Sequence, residues 1–258
     1  MLDKHPLPAR RTVPDRIEVL HMLVVKRKYF AALALSAALW ALGAANIVGM
    51  YGGSTAACAP IHKGNTQSPC ASLIFNVDWG EEYIPQLLDI LKEKNAKATF
   101  FPTGTWVERN AELAKKIVQE GHEVGNHGAS HLHVETMPKD KLQSLILKGE
   151  ERIQLATGVK PSPLFAPPYG EWNDKTVLYA LEIGYQTVLW TVDTVDWRHP
   201  PPETIWKRAL AGAGPGCLIL LHPTENTVAA LPTLIDGLRE KGLMLVTVSE
   251  NIARKPAQ

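Results

Sequence analysis

The chain of 258 residues is predicted to be an α/β protein with mainly parallel strands, preceded by one transmembrane helix. Two observations predict the fold: after residue 72, short β-rich apolar runs alternate with amphipathic helical stretches, and several of those stretches end in glycine, as in QEG, ATG, EIG and EKG. The third observation concerns the membrane. Residues 29–51, YFAALALSAALWALGAANIVGMY, carry no charge and as a helix would cover roughly 35 Å, enough to cross a bilayer.

In chain order, residues 1–28 hold Lys4, Arg10, Arg11, Arg16, Lys26, Arg27 and Lys28, whereas the stretch after the span up to Ser72 has only Lys63. The positive-inside rule then puts residues 1–28 in the cytoplasm and the rest outside, as a single-pass cell-membrane protein. A cleaved signal peptide is the competing reading, although its apolar core is usually ~7–15 residues. A lipoprotein signal at Cys58 is a weaker one, since Thr55 stands where a large aliphatic residue is usual. Residues 52–71, rich in Gly, Ser and Pro, read as a linker, in which Cys58 and Cys70 are close enough in sequence to close a loop. Cys217, the third cysteine, lies in the apolar run GCLILL and reads as a buried small hydrophobe.

Residues 72–258 read as the functional domain. Strands are expected at 72–77, 97–101, 122–126, 162–166, 185–190, 217–221 and 243–248. Helices are expected at 81–94, 108–120, 139–157, 172–183, 203–212 and 226–241, with Leu87, Leu88 and Leu91, then Leu113, Ile117 and Val118, facing the sheet. Seven βα units make either a closed or nearly closed barrel or an open doubly wound sheet. In both, active sites gather at the C-terminal ends of the strands. The net charge of +1, without clustered Lys and Arg in this part, gives no footprint for nucleic acid.

At those strand ends stand Asp78 and Trp79, then His127 and His131, then the run PPYG at 167–170, then Asp193 and Asp196, then His222. Five strands thus direct chemistry at one rim. One Asp with two His is a sound ligand set for a divalent ion, with positions left open for water and substrate.

The segments GNHGASH, FAPPYG, DTVDW and LILLH, in this order over 72–248, resemble the motifs of polysaccharide deacetylases with a NodB homology domain, carbohydrate esterase family 4. FNVDWGEEYIPQLLDILK is most similar to the membrane-anchored deacetylase-like proteins of spore-forming Gram-positive bacteria. The resemblance implies a distorted (β/α) barrel of about seven parallel strands that removes N-acetyl groups from amino sugars of peptidoglycan or a chitin-like glycan. It implies a divalent metal, zinc first with cobalt or manganese as alternatives, held by Asp78, His127 and His131. It also implies His222 as general acid, Asp193 as the carboxylate orienting it, and a Tyr169 backbone N–H at the oxyanion. His133 has no counterpart in the motif and is expected to be a bystander.

Two motifs depart from the family. Its Thr-Phe-Asp-Asp-Gly, base first and metal ligand second, is here Asn76-Val77-Asp78-Trp79-Gly80. Aligned on Gly80, Asp78 takes the base position and Trp79 replaces the ligand. Aligned on Phe75, Asn76 takes the base position and Asp78 serves the metal, with Glu81 or Glu82 as substitute bases. The arginine that pairs with the base is replaced by Ala166. Two functions follow: an active deacetylase with a rearranged base, or a glycan-binding pseudoenzyme.

Overall fold

The computed structural model describes residues 59–253. The expected anchor at 29–51, the basic segment before it, the start of the linker and Cys58 lie outside the described residues. No helix among the described residues is long and apolar enough to cross a membrane.

The described residues form eight strands: β1 (Cys70–Val77), β2 (Thr99–Pro102), β3 (Glu123–Val124), β4 (Leu164–Phe165), β5 (Gln186–Thr187), β6 (Val192–Asp193), β7 (Cys217–Leu221) and β8 (Met244–Leu245). The helices among them are α1 (Ile84–Glu93), α2 (Gly104–Arg109), α3 (Ala111–Gln119), α4 (Lys139–Thr157), α5 (Asp174–Glu182), α6 (Pro202–Gly212), α7 (Glu225–Glu240) and α8 (Val248–Ala253). Every pairing between these strands is parallel. One sheet runs β3-β2-β1-β7-β6 with β8 also on β1, and β4 and β5 form a separate pair. A parallel bridge from Asn126 to Phe165 carries the β3 end across to β4, so the whole is barrel-like and distorted.

The chain before β1 contributes to this wall. Ile61 N–H donates to Thr187 O at 2.8 Å, Leu189 N–H donates to Ile61 O at 2.8 Å, and Gly64 N–H donates to Gly216 O at 2.7 Å. Part of the expected linker is therefore built into the folded unit. Composition suggests a tether at this point because Gly and Pro are frequent, but backbone pairing ignores side-chain type.

Alternation along the central strands separates two cores. Leu73, Phe75 and Val77 of β1, Phe100 of β2, and Ile219 and Leu221 of β7 pack outward against Leu87, Leu88 and Leu91 of α1 and Leu231, Leu234 and Ile235 of α7. Ile74, Phe101, Leu218 and Leu220 point inward with Leu164, Ala166 and Val188. Each fully buried Leu contributes ~1.5–3 kcal/mol relative to an exposed one. Ile117 is buried as expected, and Leu113 and Val118 are partly buried against the outer core. Cys217, at the start of β7, is fully buried, and burial raises its thiol pKa. Because inner and outer positions alternate, the inner row of β1 continues from Ile74 to Asn76, which is buried, and reaches the rim at Asp78.

Three expectations need correction. Among the described residues there are eight strands, because β6 is only two residues long and offers no period to read. The helix expected at 108–120 is two helices broken at Asn110, whose side chain donates to Trp106 O at 3.1 Å. The strand expected at 243–248 stops at Leu245, because Thr247 and Glu250 cap α8 reciprocally: Thr247 N–H donates to Glu250 Oε2 and Glu250 N–H to Thr247 Oγ1.

Candidate active site

The C-terminal ends of the strands open on a cleft of ≈ 570 Å³ lined by Asp78, His127, His131, Tyr169, Asp193 and His222, all six expected site residues. Asn76, Trp79, Gly170, Trp190, Trp197 and Leu220 complete the lining.

His222 follows β7 and is held by Asp196, not by Asp193. Its ring Nδ1 lies 2.8 Å from Asp196 Oδ1, and its backbone N–H donates to Asp196 Oδ2 at 2.6 Å. Thr227 Oγ1 also donates to Oδ2 at 2.6 Å, so a fully buried carboxylate has three partners. Asp193 instead accepts from Val195 N–H at 2.8 Å and lines the cleft independently. The correction has a local cause: Val195 adopts φ 54°, which turns the chain and brings Asp196 inward at the head of a 3-10 turn. Thr227 is placed by the N-cap of α7, where Thr224 Oγ1 accepts its N–H at 3.0 Å. With Nδ1–H donated to a carboxylate, the Nε2 of His222 is left for a ligand in the cleft.

His127 is buried, and its Nδ1 donates to Ala166 O at 2.7 Å, which fixes the tautomer and leaves Nε2 with a lone pair. Desolvation first, then the neighbouring His131, lowers its pKa to about 3, so the ring is neutral. His131 lies 5.1 Å away between ring centroids, and desolvation likewise lowers its pKa, partly opposed by Asp78. Two neutral imidazoles are the right chemistry for a divalent ion. No group of three or more His, Cys, Asp or Glu side chains among the described residues is already gathered as a metal site. Asp78 Oδ1 instead accepts from Thr103 Oγ1 at 2.6 Å, the hydroxyl that also caps α2 by accepting Trp106 N–H. His127 and His131 thus present two imidazoles to the cleft, with Asp78 lining it beside His131.

Around Asp78 the other expected partners are also missing. Asn76 Oδ1 is buried with no hydrogen-bond partner, and Ala166 offers only its carbonyl. Arg109 reaches the Asp78 backbone oxygen at 3.5 Å and not its carboxylate. Glu81 and Glu82 lie on an exposed 3-10 turn away from the cleft lining.

Tyr169 stands at the rim with φ 60°, an uncommon value outside glycine. His133 does not line the cleft. Its ring stacks on Tyr169 at 4.1 Å, and its Nδ1 lies 2.7 Å from Glu171 Oε1, whose pKa that hydrogen bond lowers. Tyr169 in turn meets His131 edge-on at 4.3 Å. Asp196, Thr103, Thr227 and Glu171 were not singled out as working residues by the sequence. Only Asp196 left a signal, as the second acid of DTVDW.

The polysaccharide deacetylase family profile matches residues 63–188. A peptidoglycan-N-acetylglucosamine deacetylase of Bacillus cereus is 41% identical over 179 residues, covering 67% of this chain and 83% of that protein. YlxY of Bacillus subtilis, an uncharacterized protein, is 41% identical over 191 residues, 74% of this chain and 60% of YlxY, so the chain spans less than two thirds of that relative. Among solved structures, BA3943 of Bacillus anthracis, described as a CE4 family pseudoenzyme, superposes with a TM-score of 0.74 at 39% identity, covering 77% of this chain and 70% of that one. A mutant of it is described as having restored enzymatic activity. Fold, cleft and relatives agree, and the chain belongs to the polysaccharide deacetylases of carbohydrate esterase family 4, with one motif aspartate and the motif arginine replaced.

Proposed function

We propose that the cleft binds N-acetylated amino-sugar stretches of a cell-wall polysaccharide, peptidoglycan or a chitin-like glycan, and that N-deacetylation there is severely impaired. The observation that carries this reading is the imidazole pair of His127 and His131 without a third ligand. We align the first motif on Gly80. That residue holds φ 78°, and a side chain on it would collide with the backbone oxygen of Pro223, so a glycine is required there. Val77 then takes the buried aromatic position, Asp78 the base position, and Trp79 the ligand position. A tryptophan cannot ligate through a carboxylate.

The protein's own groups retain part of the chemistry. His222, oriented through Nδ1 by Asp196, has Nε2 free to give a proton to a leaving amine when the ring is the imidazolium, and Asp78, hydrogen-bonded to Thr103, is a carboxylate beside His131 able to take one. That machinery supports the second reading, an active deacetylase with a rearranged base. The single-pass anchor at 29–51, with the domain outside the cell, belongs to this proposal, because a cell-wall glycan is reached only from there.

The test is acetate release from N-acetylglucosamine oligomers and from peptidoglycan by the full-length chain, with glycan binding measured in parallel. Binding with acetate release far below that of the Bacillus cereus peptidoglycan-N-acetylglucosamine deacetylase supports the proposal. Binding with full activity replaces it by the second reading, and absence of binding to both glycans ends it.

A further inference from the structure

Three large aromatic side chains are exposed among the described residues, Trp79, Tyr169 and Trp197, at 40%, 56% and 44%, and all three line the same cleft. Apolar rings left to water at the mouth of a pocket, while other large rings such as Trp106, Phe75, Phe100 and Phe101 are fully buried, mark a binding surface. Of the three, Trp79 is placed most firmly. It stands two residues after the end of β1, and the next residue, Gly80, is locked by its left-handed φ and its close approach to Pro223. Its indole lies parallel to the His222 ring, within 3° and with centroids 6.1 Å apart, and tilts at 46° against His199 at 6.5 Å.

This position has no use in packing. Trp79 is absent from the cores that hold its strand neighbours Phe75 and Val77, so its ring is not retained as hydrophobic filling. Nor can it serve the proton chemistry, since an indole N–H only donates and does not titrate. What it offers is a flat, rigid apolar face beside an imidazole whose Nε2 can hydrogen-bond. A pyranose ring is the complementary object: its axial C–H face is apolar and its rim is polar. We propose that Trp79 is the sugar-stacking platform of the cleft, taking the C–H face of one neutral N-acetylhexosamine ring of a glycan chain. This rests on the glycan-binding reading above and assigns it a residue. The residue that breaks the metal centre thereby supplies affinity, and the site trades turnover for retention of its ligand.

The experiment uses the full-length chain, its Trp79→Ala and Trp79→Phe variants, and a tetramer of N-acetylglucosamine as the probe, with calorimetric titration. Trp79→Ala is expected to weaken binding roughly tenfold or more, the scale of losing one desolvated aromatic contact, and Trp79→Phe to recover most of it. Because the ring is 40% exposed, neither variant should lower the melting temperature appreciably, and that measurement separates lost contact from lost fold. Wild-type affinity in Trp79→Ala overturns the platform while leaving the glycan-binding reading standing. Failure of wild-type protein to bind the tetramer or peptidoglycan overturns both.

Discussion

Replacing Asp196 tests whether its buried carboxylate organises the His222 side of the cleft. In the folded protein it is fully buried and accepts from His222 N–H at 2.6 Å, Thr227 Oγ1 at 2.6 Å and the His222 ring at 2.8 Å. Asp196→Ala leaves three donors without an acceptor, and hydrogen bonds to a charged group are worth ~1.5–3 kcal/mol each, so with partial rescue by entering water the loss should be about 3–6 kcal/mol. For a folded unit of this size that corresponds to a fall in Tm of roughly 6–20 °C. Asp196→Asn keeps one carbonyl acceptor but turns an N–H₂ towards one former donor, so it should fall between the two. Asp193→Ala removes only the bond from Val195 N–H and should cost about 1 kcal/mol. Denaturant and thermal unfolding of the three variants measure this series. Equal destabilisation by Asp193→Ala and Asp196→Ala, or a loss under about 1 kcal/mol for Asp196→Ala, would refute the assignment.

Further expectations concern residues outside that network. His122 sits at the opposite ends of the strands, where desolvation first and Lys97 second lower its pKa from 6.5 to about 4. Its folded pKa lies below its unfolded one, so the unfolded state binds more protons between them; stability is full above pH 6.5 and is lost as pH falls towards 4, by at most about 3 kcal/mol. His122→Gln should flatten the stability slope over that window, and an unchanged slope refutes it. Gly80→Ala forces a left-handed Cβ into the Pro223 backbone and should cost more than the ~1 kcal/mol of an unobstructed change, measured by unfolding. Asn76→Asp buries a second carboxylate on the inner face of β1, so it should destabilise alone and less so together with Ala166→Arg, which melting curves of the single and double variants will compare.

The sequence made the outer architecture legible because parallel strands covered on both faces read as continuous apolar runs: SLIFNV and CLILL are both found as strands, and α4 has the expected bounds of 139 and 157. It placed all six expected residues on one cleft because the rule about strand ends depends only on element order. What it could not deliver was the partner of each residue. Asp193 and Asp196 are three apart in a turn, and which one meets His222 depends on the φ of Val195, a value no periodicity encodes. Likewise the hydroxyls of Thr103, the N-cap of α2, and Thr227, in the first turn of α7, bind site carboxylates only because their helices start at the rim. The fate of His133 depended on Glu171, distant in sequence and brought near by the turn after β4.

The most direct measurement of the central claim is the amount of zinc retained per full-length chain after equilibration with zinc and extensive dialysis, compared between wild type and Trp79→Asp. With only two imidazoles prepared, wild type should retain far less than one ion, and a carboxylate at position 79 should bring retention close to one, in a form lost again when His127 or His131 is changed to Ala. One tightly held zinc in the wild-type chain, dependent on His127 and His131, would contradict the account.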